Sequence, residues 1–298
     1  MRWIIDIIND GVGGVISDWL IDGIISNVEN AFVMWEDEIA IAADTLTITP
    51  EDFLGCNPFN LLQTLSDNII LPVAVVIFGL IVAYEFMSML SEGNNFRDFD
   101  YTHLFKWLAK VVIGAFLLTN VFPIVNWIFE VGVSAVTLAE GHLTLDLIDF
   151  EFMFEELEDA LRNDYTVGTL ANIWMVSFLL GLFMVVSRVA IIIIVLYRMF
   201  LIILKISLAP MPFATLINRE WGNIGTNYIK TLTSTAFQGF LMMVILGMYG
   251  FLMMTFAVVP TSAMEVLVSM LEVTAYSVML IILLIKTQQI SKSIFGAN

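Results

Sequence analysis

Glu85, Lys110 and Arg188 are charged side chains that lie inside three separate apolar runs of the chain. A charge at membrane depth is costly unless it is paired or faces water, so such residues usually orient helices or mark an ion or substrate path. Each of the three belongs to a different apolar run, and we expect them to reach a similar depth. They are therefore predicted to form an intramembrane charge cluster, which holds helices together or lines a conduit or a proton path, unless the side chains extend separately to the lipid interface.

Residue patterns typical of enzymes are absent from the sequence. The chain has no Gly-x-Ser-x-Gly, His-Glu-x-x-His, phosphate loop or Gly-x-Gly-x-x-Gly. Its single cysteine, Cys56, excludes an internal disulfide, and His103 and His142 do not have the spacing of metal ligands. We expect neither an enzymatic activity nor a cofactor or metal.

The composition indicates an integral membrane protein. Of 298 residues, 59% are hydrophobic and 14% are charged, and the mean hydropathy is +0.90, whereas soluble domains contain about 25% charged residues. The amino terminus does not resemble a cleaved signal peptide. Because a spanning helix needs about 20 apolar residues, we predict an all-α polytopic protein with about five transmembrane helices. The candidate spans are 69–90, 107–129, 170–209, 232–259 and 266–286.

The apolar run 170–209 is predicted to form one unusually long helix. No Gly, Pro or Asn interrupts its centre near Ser187 and Arg188. At 1.5 Å per residue it would be about 60 Å long, twice the roughly 30 Å of the hydrocarbon core. Pro210 and Pro212 follow it, and since proline cannot continue a helix without losing backbone hydrogen bonds, they are predicted to form a hinge.

The charges are sorted along the chain. Residues 1–68 contain twelve acidic residues and one base, and residues 130–168 contain ten acidic residues and one base. If both acid-rich segments lie outside, the remaining bases fall inside, as the positive-inside rule requires. We therefore predict a multi-pass protein of the cytoplasmic membrane, with the amino terminus outside and the carboxyl terminus inside. In chain order, the predicted divisions are an external acidic region (1–68), a first transmembrane pair (69–129), an external acidic loop with a short helix (130–169), and the long helix, proline hinge, cytoplasmic loop and last two spans (170–298).

Several bases fall on the predicted inner side. They form a candidate basic cytoplasmic face, which attracts DNA phosphates through counterion release or only sets the orientation of the chain. Its members are Arg97, Lys106, Arg198, Lys205, Arg219 and Lys230.

The amino-terminal region is predicted to form amphipathic helices rather than a span. Apolar residues recur with helical period, and Gly11, Gly13 and Gly14 are expected to break the helix. Because its polar face lacks Lys and Arg, either docking to a partner or packing on the protein's own spans is expected. A similar pattern over 147–168 predicts a short external helix. The segment 218–230, with Gly222 and Gly225, is expected to be a cytoplasmic loop.

The block "YRMFLIILKISLAPMPFATL" (197–216), together with the five spans and the external amino-terminal region, resembles the TrbL/VirB-type polytopic inner-membrane channel subunits of type IV secretion and conjugative transfer systems. The resemblance implies a channel or platform subunit that helps to move DNA or protein across the cytoplasmic membrane. It also implies a homo-oligomer in the lipid bilayer, with ATPases and stalk or pilus components as partners and single-stranded DNA in transit. The alternatives are a solute transporter or permease subunit and a phage-type structural membrane protein.

Overall fold

The computed structural model describes residues 2–92, 101–143, 150–164, 166–254 and 263–297. Within these ranges the chain is helical apart from short connections, and no strand occurs, which confirms the predicted all-α class. The helices are α1 (Arg2–Thr47), α2 (Pro50–Leu54), α3 (Cys56–Leu65), α4 (Leu71–Glu92), α5 (Tyr101–Thr119), α6 (Val121–Glu140), α7 (Phe150–Asp164), α8 (Val167–Leu208), α9 (Pro210–Ala214), α10 (Gly222–Met254) and α11 (Ala263–Phe295).

The chain forms two compact units, each built from segments that are distant in sequence. Unit 1 consists of Met1–Asp44, Ala139–Val195 and Met242–Lys286. Unit 2 consists of Thr45–Leu138, Leu196–Leu241 and Thr287–Asn298. The long helices α8, α10 and α11 each contribute residues to both units.

In unit 1, α1 is one continuous helix of 46 residues. The expected break at the glycines is wrong, since the helix passes through them, and Gly13 and Gly14 have no neighbouring atoms that a side chain would meet. Ile24, Val28 and Trp35 belong to its buried stripe, whose spacing of three or four residues is that of one helix face. Between the two expected settings for this region, the structure supports packing on the protein's own helices.

Helix α7 confirms the short helix that the sequence predicts between the apolar runs. It buries Leu157 and Leu161. Its exposed Arg162 is 2.8 Å from Glu158 on the same helix and 3.0 Å from Asp18 on α1. These carboxylates raise the pKa of Arg162 above its ordinary value. Although most of its charges are acidic, α7 is therefore held to α1 by a cation as well as by apolar contact.

The core of unit 2 lies between α6, the second half of α8 and the first half of α10. Val125, Phe129, Ile202 and Leu232 are at most 2% exposed there. Gly132 makes this packing close, because a Cβ at that position would come 2.9 Å from the backbone oxygen of Ala236. Small residues permit such close approaches between helices in lipid.

Among the described residues, six helices are long and apolar enough to cross a membrane, where the sequence predicts about five. The additional span arises in residues 101–140, where the structure has two helices and the sequence predicts one span, 107–129. Helix α5 ends at Thr119 and α6 begins at Val121. Hydrogen bonds of helical spacing nevertheless continue across Asn120, from its N–H to Phe116 O and from Ile124 N–H to Asn120 O. The interruption lies close to Pro123, which cannot donate a backbone hydrogen bond.

The predicted long helix is confirmed as α8, which runs unbroken from Val167 to Leu208. Pro210 opens the short α9, so the long helix ends where the sequence predicts. The loop expected at 218–230 is wrong, since α10 begins at Gly222. The Asn218 carboxamide oxygen accepts hydrogen bonds from the N–H groups of Glu220 and Trp221 and stabilises the turn before this helix. Gly225 is buried against Pro212, so it provides space for packing rather than a turn.

The last helix is also longer than predicted. Helix α11 extends to Phe295, whereas the sequence places the end of the last span at 286 and a tail after it. Thr287 and Ser291 are fully buried, and the Phe295 ring contacts Phe237 of α10 at 5.5 Å. The end of the span predicted at 232–259, with the closing Pro260, lies outside the described residues.

A π-helical turn, Ser66–Ile70, joins α3 to α4. The Ser66 hydroxyl is buried there and donates a 3.0 Å hydrogen bond to Ser207 O of α8. Because this turn connects α3 directly to α4, the helical segment begins at residue 56, whereas the sequence places the start of the span at residue 69.

Large apolar side chains remain exposed along the candidate spans. Val76 and Leu80 on α4 and Ile193 and Leu204 on α8 are each more than half exposed. Exposed apolar surface of this extent is unusual for a soluble monomer and is expected of helices that face lipid. The fold is that of a multi-pass membrane protein.

Candidate functional site

The most unusual charged residue is Arg198, on the second half of α8. It is only 2% exposed, and no described carboxylate forms an ion pair with it. One guanidinium nitrogen, Nη2, donates to Ala236 O at 3.4 Å, Nη1 lies 3.8 Å from the sulfur of Met199, and Nε has no partner among the described residues. Burying a cation with so few hydrogen bonds costs several kcal/mol, which makes Arg198 a candidate functional residue.

The space for this guanidinium comes from a glycine of α10. A Cβ at Gly239 would lie 2.4 Å from Arg198 Nη2 and 3.1 Å from Val136 of α6. Any larger residue would thus compete with the cation for the same volume. In the sequence, Gly239 is only one of several small residues in an apolar run. Its role follows from the position of Arg198 on α8, which packs against it.

Lys205 lies seven residues after Arg198 and therefore on the same face of α8. Its ammonium group donates to Thr235 Oγ1, and its backbone oxygen accepts from the Tyr228 hydroxyl, both on α10. Arg198 and Lys205 thus both direct their polar atoms toward α10. Helix α10 covers the guanidinium of Arg198, and the place of Arg198 in a basic cytoplasmic face stays a prediction.

Helices α10 and α11 bury a row of polar side chains in the same unit. Gln238 donates from Nε2 to Thr287 Oγ1 at 3.2 Å, and Ser291 donates to Ser234 O at 2.5 Å. The other amide atom of Gln238, Oε1, is buried and has no hydrogen-bond partner among the described residues. We call Arg198, Lys205, Ser234, Thr235, Gln238, Thr287 and Ser291 the polar seam.

Unit 1 contains a separate charge pair, between a buried Glu38 and a half-buried Arg188. Glu38 on α1 is 1% exposed, and Arg188 Nε lies 3.2 Å from its Oε2. Burial raises the pKa of Glu38 to about 7, and the positive charge of Arg188 opposes part of that increase. Tyr249 and Ser277, which share a 2.7 Å hydrogen bond, line the same small cavity. Glu38 lies on a helix outside the six candidate spans.

Of the predicted charge cluster, the structure pairs two members. Lys110 Nζ is 3.0 Å from Glu85 Oε1 in unit 2, whereas the carboxylate beside Arg188 is Glu38 in unit 1. The three-residue cluster stays a prediction. Among the predicted basic residues, Lys106, Arg219 and Lys230 are exposed, and Arg97 lies outside the described residues.

The proline pair marks a real change in the helical path. Pro210 is the first residue of α9 and is buried, and Pro212 lies within the same short helix. Thr215 caps the end of α9 by donating from its hydroxyl to Pro212 O at 2.8 Å. Whether this junction moves as a hinge stays a prediction.

The chemistry available to these residues is ionic and hydrogen-bonding. No group of three His, Cys, Asp or Glu side chains in the described ranges is arranged to hold a metal ion. Arg198 and Lys205 can interact with an anion or with water, and the Glu38 carboxyl can take up a proton near neutral pH. Sequence reasoning missed Glu38, which is one of many acids in its segment, and missed Thr287 and Ser291, which it assigned to a tail. Glu38 lies three residues after the buried Trp35, and Thr287 lies three residues after the buried Leu284, and this helical spacing is the signal that could have identified these two.

Residues 36–210 match the family described as TrbL/VirB6 plasmid conjugal transfer like protein. The match begins in α1, two residues before Glu38, and ends at the proline that opens α9, so it includes all of α8. Searches of curated proteins and of solved structures found no match.

Proposed function

Because the chain belongs to the TrbL/VirB6 plasmid conjugal transfer-like family, we propose that it is a membrane-embedded channel or platform subunit of a conjugative type IV secretion machine. It would help to move DNA or protein across the cytoplasmic membrane and would have no enzymatic activity of its own. The observation that carries this proposal is the family match over residues 36–210, more than half of the chain. ATPases and stalk or pilus components would supply energy and continuity, and several copies of the chain would form the platform.

The polar seam supports a role in passage. Polar groups buried between membrane helices usually pair with one another or face a water-filled path. Here the pairing is incomplete, since Arg198 Nε and Gln238 Oε1 have no partner in the described part of the chain. We propose that the seam takes part in the transfer step, where an anionic substrate or water completes its hydrogen bonds. A solute permease built from two related halves would show paired helix breaks, which the sequence lacks.

We propose an orientation with the amino terminus outside and the carboxyl terminus inside. The exposed Lys106, Arg219 and Lys230 would lie on the inner side, as the positive-inside rule requires. Single cysteines at Val15 and Arg219, introduced into a Cys56→Ser background, test this with a membrane-impermeant thiol reagent on intact cells. Val15 and Arg219 are both exposed in the structure. Labelling is expected at position 15 and absent at 219, and labelling at 219 would contradict the orientation.

The transfer function is tested in the element that encodes the chain. Deleting the gene should reduce conjugation to background, and the wild-type gene supplied separately should restore it. Formaldehyde cross-linking in mating cells, followed by precipitation of the tagged chain, should recover the transferred strand. Full conjugation without the gene would reject the proposal. Substrate-specific solute uptake by the purified chain in liposomes would favour a permease instead.

A further inference from the structure

A cavity of about 590 Å³ opens in unit 2 at the ends of three candidate spans. It lies where α4 approaches its end, where α5 begins and at the turn before α10, and the candidate spans themselves end at Ser91 and begin at Thr102 and Gly222. Since all three borders are span ends, the cavity belongs at a membrane–water interface. Its volume falls in the range of roughly 300–1,000 Å³ usual for small-ligand sites. Its charged and titratable lining is Glu85, His103, Lys106, Lys110, Arg219 and Glu220.

The charged lining has one more cation than carboxylates, since Lys106, Lys110 and Arg219 stand against Glu85 and Glu220. Glu85 is neutralised by Lys110 at 3.0 Å. Glu220 accepts a 3.2 Å hydrogen bond from the Tyr84 hydroxyl, and its backbone N–H is capped by Asn218. Within the described ranges no ion pair involves Lys106 or Arg219, and both side chains are exposed. An anion entering the cavity therefore meets two cations without a carboxylate of their own.

Two aromatic side chains, Tyr84 and Trp107, line the cavity together with these cations, and each contacts a further ring. Tyr84 and Trp221 stack with centroids 6.0 Å apart and planes 4° from parallel, and Trp107 contacts Phe86 at 5.1 Å. Trp and Tyr concentrate at the headgroup level of membrane proteins, where one end of the ring is apolar and the other is wet. Cations beside such rings, at the ends of spans, are positioned for the headgroup region of a lipid.

We propose that this cavity binds the phosphate of an anionic phospholipid headgroup. Lys106 and Arg219 would contact the phosphate, the Glu85–Lys110 pair would form a neutral wall, and the stacked Tyr84 and Trp221 would contact the adjoining glycerol and acyl region. Basic pockets between membrane helices are known to bind anionic headgroups. A single-stranded nucleic acid instead requires a groove with successive stacking platforms, and one cavity with two carboxylates in its wall favours a single headgroup.

The test uses the full-length chain purified in a neutral detergent. Native mass spectrometry measures how much phosphatidylglycerol and how much phosphatidylcholine the chain retains at equal concentration. The wild type is expected to retain phosphatidylglycerol at least about tenfold better. K106Q/R219Q should lose this preference, by roughly thirtyfold if each cation contributes as cations near anionic membranes do. K106R/R219K keeps both charges and should keep the preference.

The matched control is K230Q, which removes one exposed cation that does not line the cavity. It should leave the preference unchanged. An equal loss in K230Q would show that general charge attraction, not this cavity, selects the lipid. Unchanged phosphatidylglycerol retention in K106Q/R219Q would overturn the proposal.

Soluble competitors distinguish the source of the phosphate. Inorganic phosphate, glycerol phosphate and a single-stranded oligonucleotide are each added to the wild-type complex. None should displace phosphatidylglycerol at concentrations comparable to the lipid. Displacement by the first two would assign the cavity to a soluble phosphate compound, and displacement by the oligonucleotide would assign it to nucleic acid.

A photoreactive phosphatidylglycerol gives a readout that requires no variant. On the wild type, its cross-links should map to the cavity segments 84–89, 103–110 and 218–221. Cross-links found only elsewhere would overturn the site even if K106Q/R219Q did not fold. Because lipid retention is measured without conjugation, its failure would leave the proposed transfer function intact, and the reverse also holds.

Discussion

Replacing Arg198 by methionine separates structure from function at the polar seam. Methionine is similar in length, flexible and apolar, so it can fill the space between α8 and α10. The guanidinium it removes is 2% exposed and has one long hydrogen bond of 3.4 Å to Ala236 O. The substitution therefore removes a buried charge whose hydrogen bonds are mostly unmade.

The expected magnitude follows from two opposing contributions. Burying an ion costs several kcal/mol even after relaxation, and a single hydrogen bond to a charged group returns about 1.5–3 kcal/mol at good geometry, less at 3.4 Å. Buried ionic groups replaced by apolar residues of similar volume are neutral or stabilising by about 1–4 kcal/mol. We expect Arg198→Met to raise the free energy of unfolding by about 1–3 kcal/mol while conjugation falls to background.

The free energy of unfolding is measured by titration from mild detergent into mixed micelles with sodium dodecyl sulfate, and conjugation by mating in the deletion strain. Ile202→Met, one turn further along α8 and equally buried, is the control, and it should change stability by less than about 1.5 kcal/mol and leave conjugation intact. Destabilisation of Arg198→Met by more than about 2 kcal/mol would refute the electrostatic reasoning, since the guanidinium would then support the packing. Normal conjugation with Arg198→Met would remove Arg198 from the proposed transfer step.

Three further outcomes are expected. Gly132→Ala should destabilise unit 2 by about 1–3 kcal/mol in the same titration, because the added Cβ meets backbone atoms of Ala236. The control Gly79→Ala, where no atom lies within 4 Å of the added Cβ, should be neutral or slightly stabilising. Equal effects of the two substitutions would contradict the close α6–α10 contact. Glu38 has a folded-state pKa of about 7, above its ordinary 4.5. Its contribution to the free energy of unfolding is therefore complete below pH about 4.5 and is lost as the pH rises through 7, by at most about 3 kcal/mol. Glu38→Gln should abolish this pH dependence of the free energy of unfolding, and an unchanged pH dependence would assign it to other groups. Neutralising Arg219 and Lys230 together should lower conjugation without changing membrane insertion measured by fractionation, and unaltered conjugation would exclude a DNA-attracting role for these two bases.

Sequence patterns predict the long helices well where apolar residues are continuous, as in α8, because no alternative element can bury or shield so long an apolar run. They fail where tertiary packing overrides a local signal. Glycines at 222 and 225 indicate a loop, yet the lack of a side chain lets α10 begin against Pro212. Thr287 and Ser291 suggest a solvated tail, yet both are fully buried because hydroxyls can satisfy themselves on neighbouring helices.

The candidate site is less predictable than the fold for a related reason. A single sequence identifies charges inside apolar runs, so Glu85, Lys110, Arg188 and Arg198 could be selected from it. Which carboxylate meets which cation depends on how helices far apart in the chain are rotated. Glu38 thus pairs with Arg188 across 150 residues of sequence, and a local sequence pattern cannot predict a contact between residues so far apart in the chain.

The π-helical turn between α3 and α4 changes which residues share a face of this continuous helical segment. A π turn accommodates one residue more than an α turn, and each α-helical residue advances about 100° around the axis. The side chains before Ser66 are therefore rotated around the helix axis relative to those after it. A single helical wheel drawn through 58–91 would place the residues on one side of the π turn on the wrong face. Shortening the chain by one residue at this point would straighten the ladder of hydrogen bonds, turn Phe59 away from Phe122, which it now contacts at 5.5 Å, and withdraw the Ser66 hydroxyl from α8.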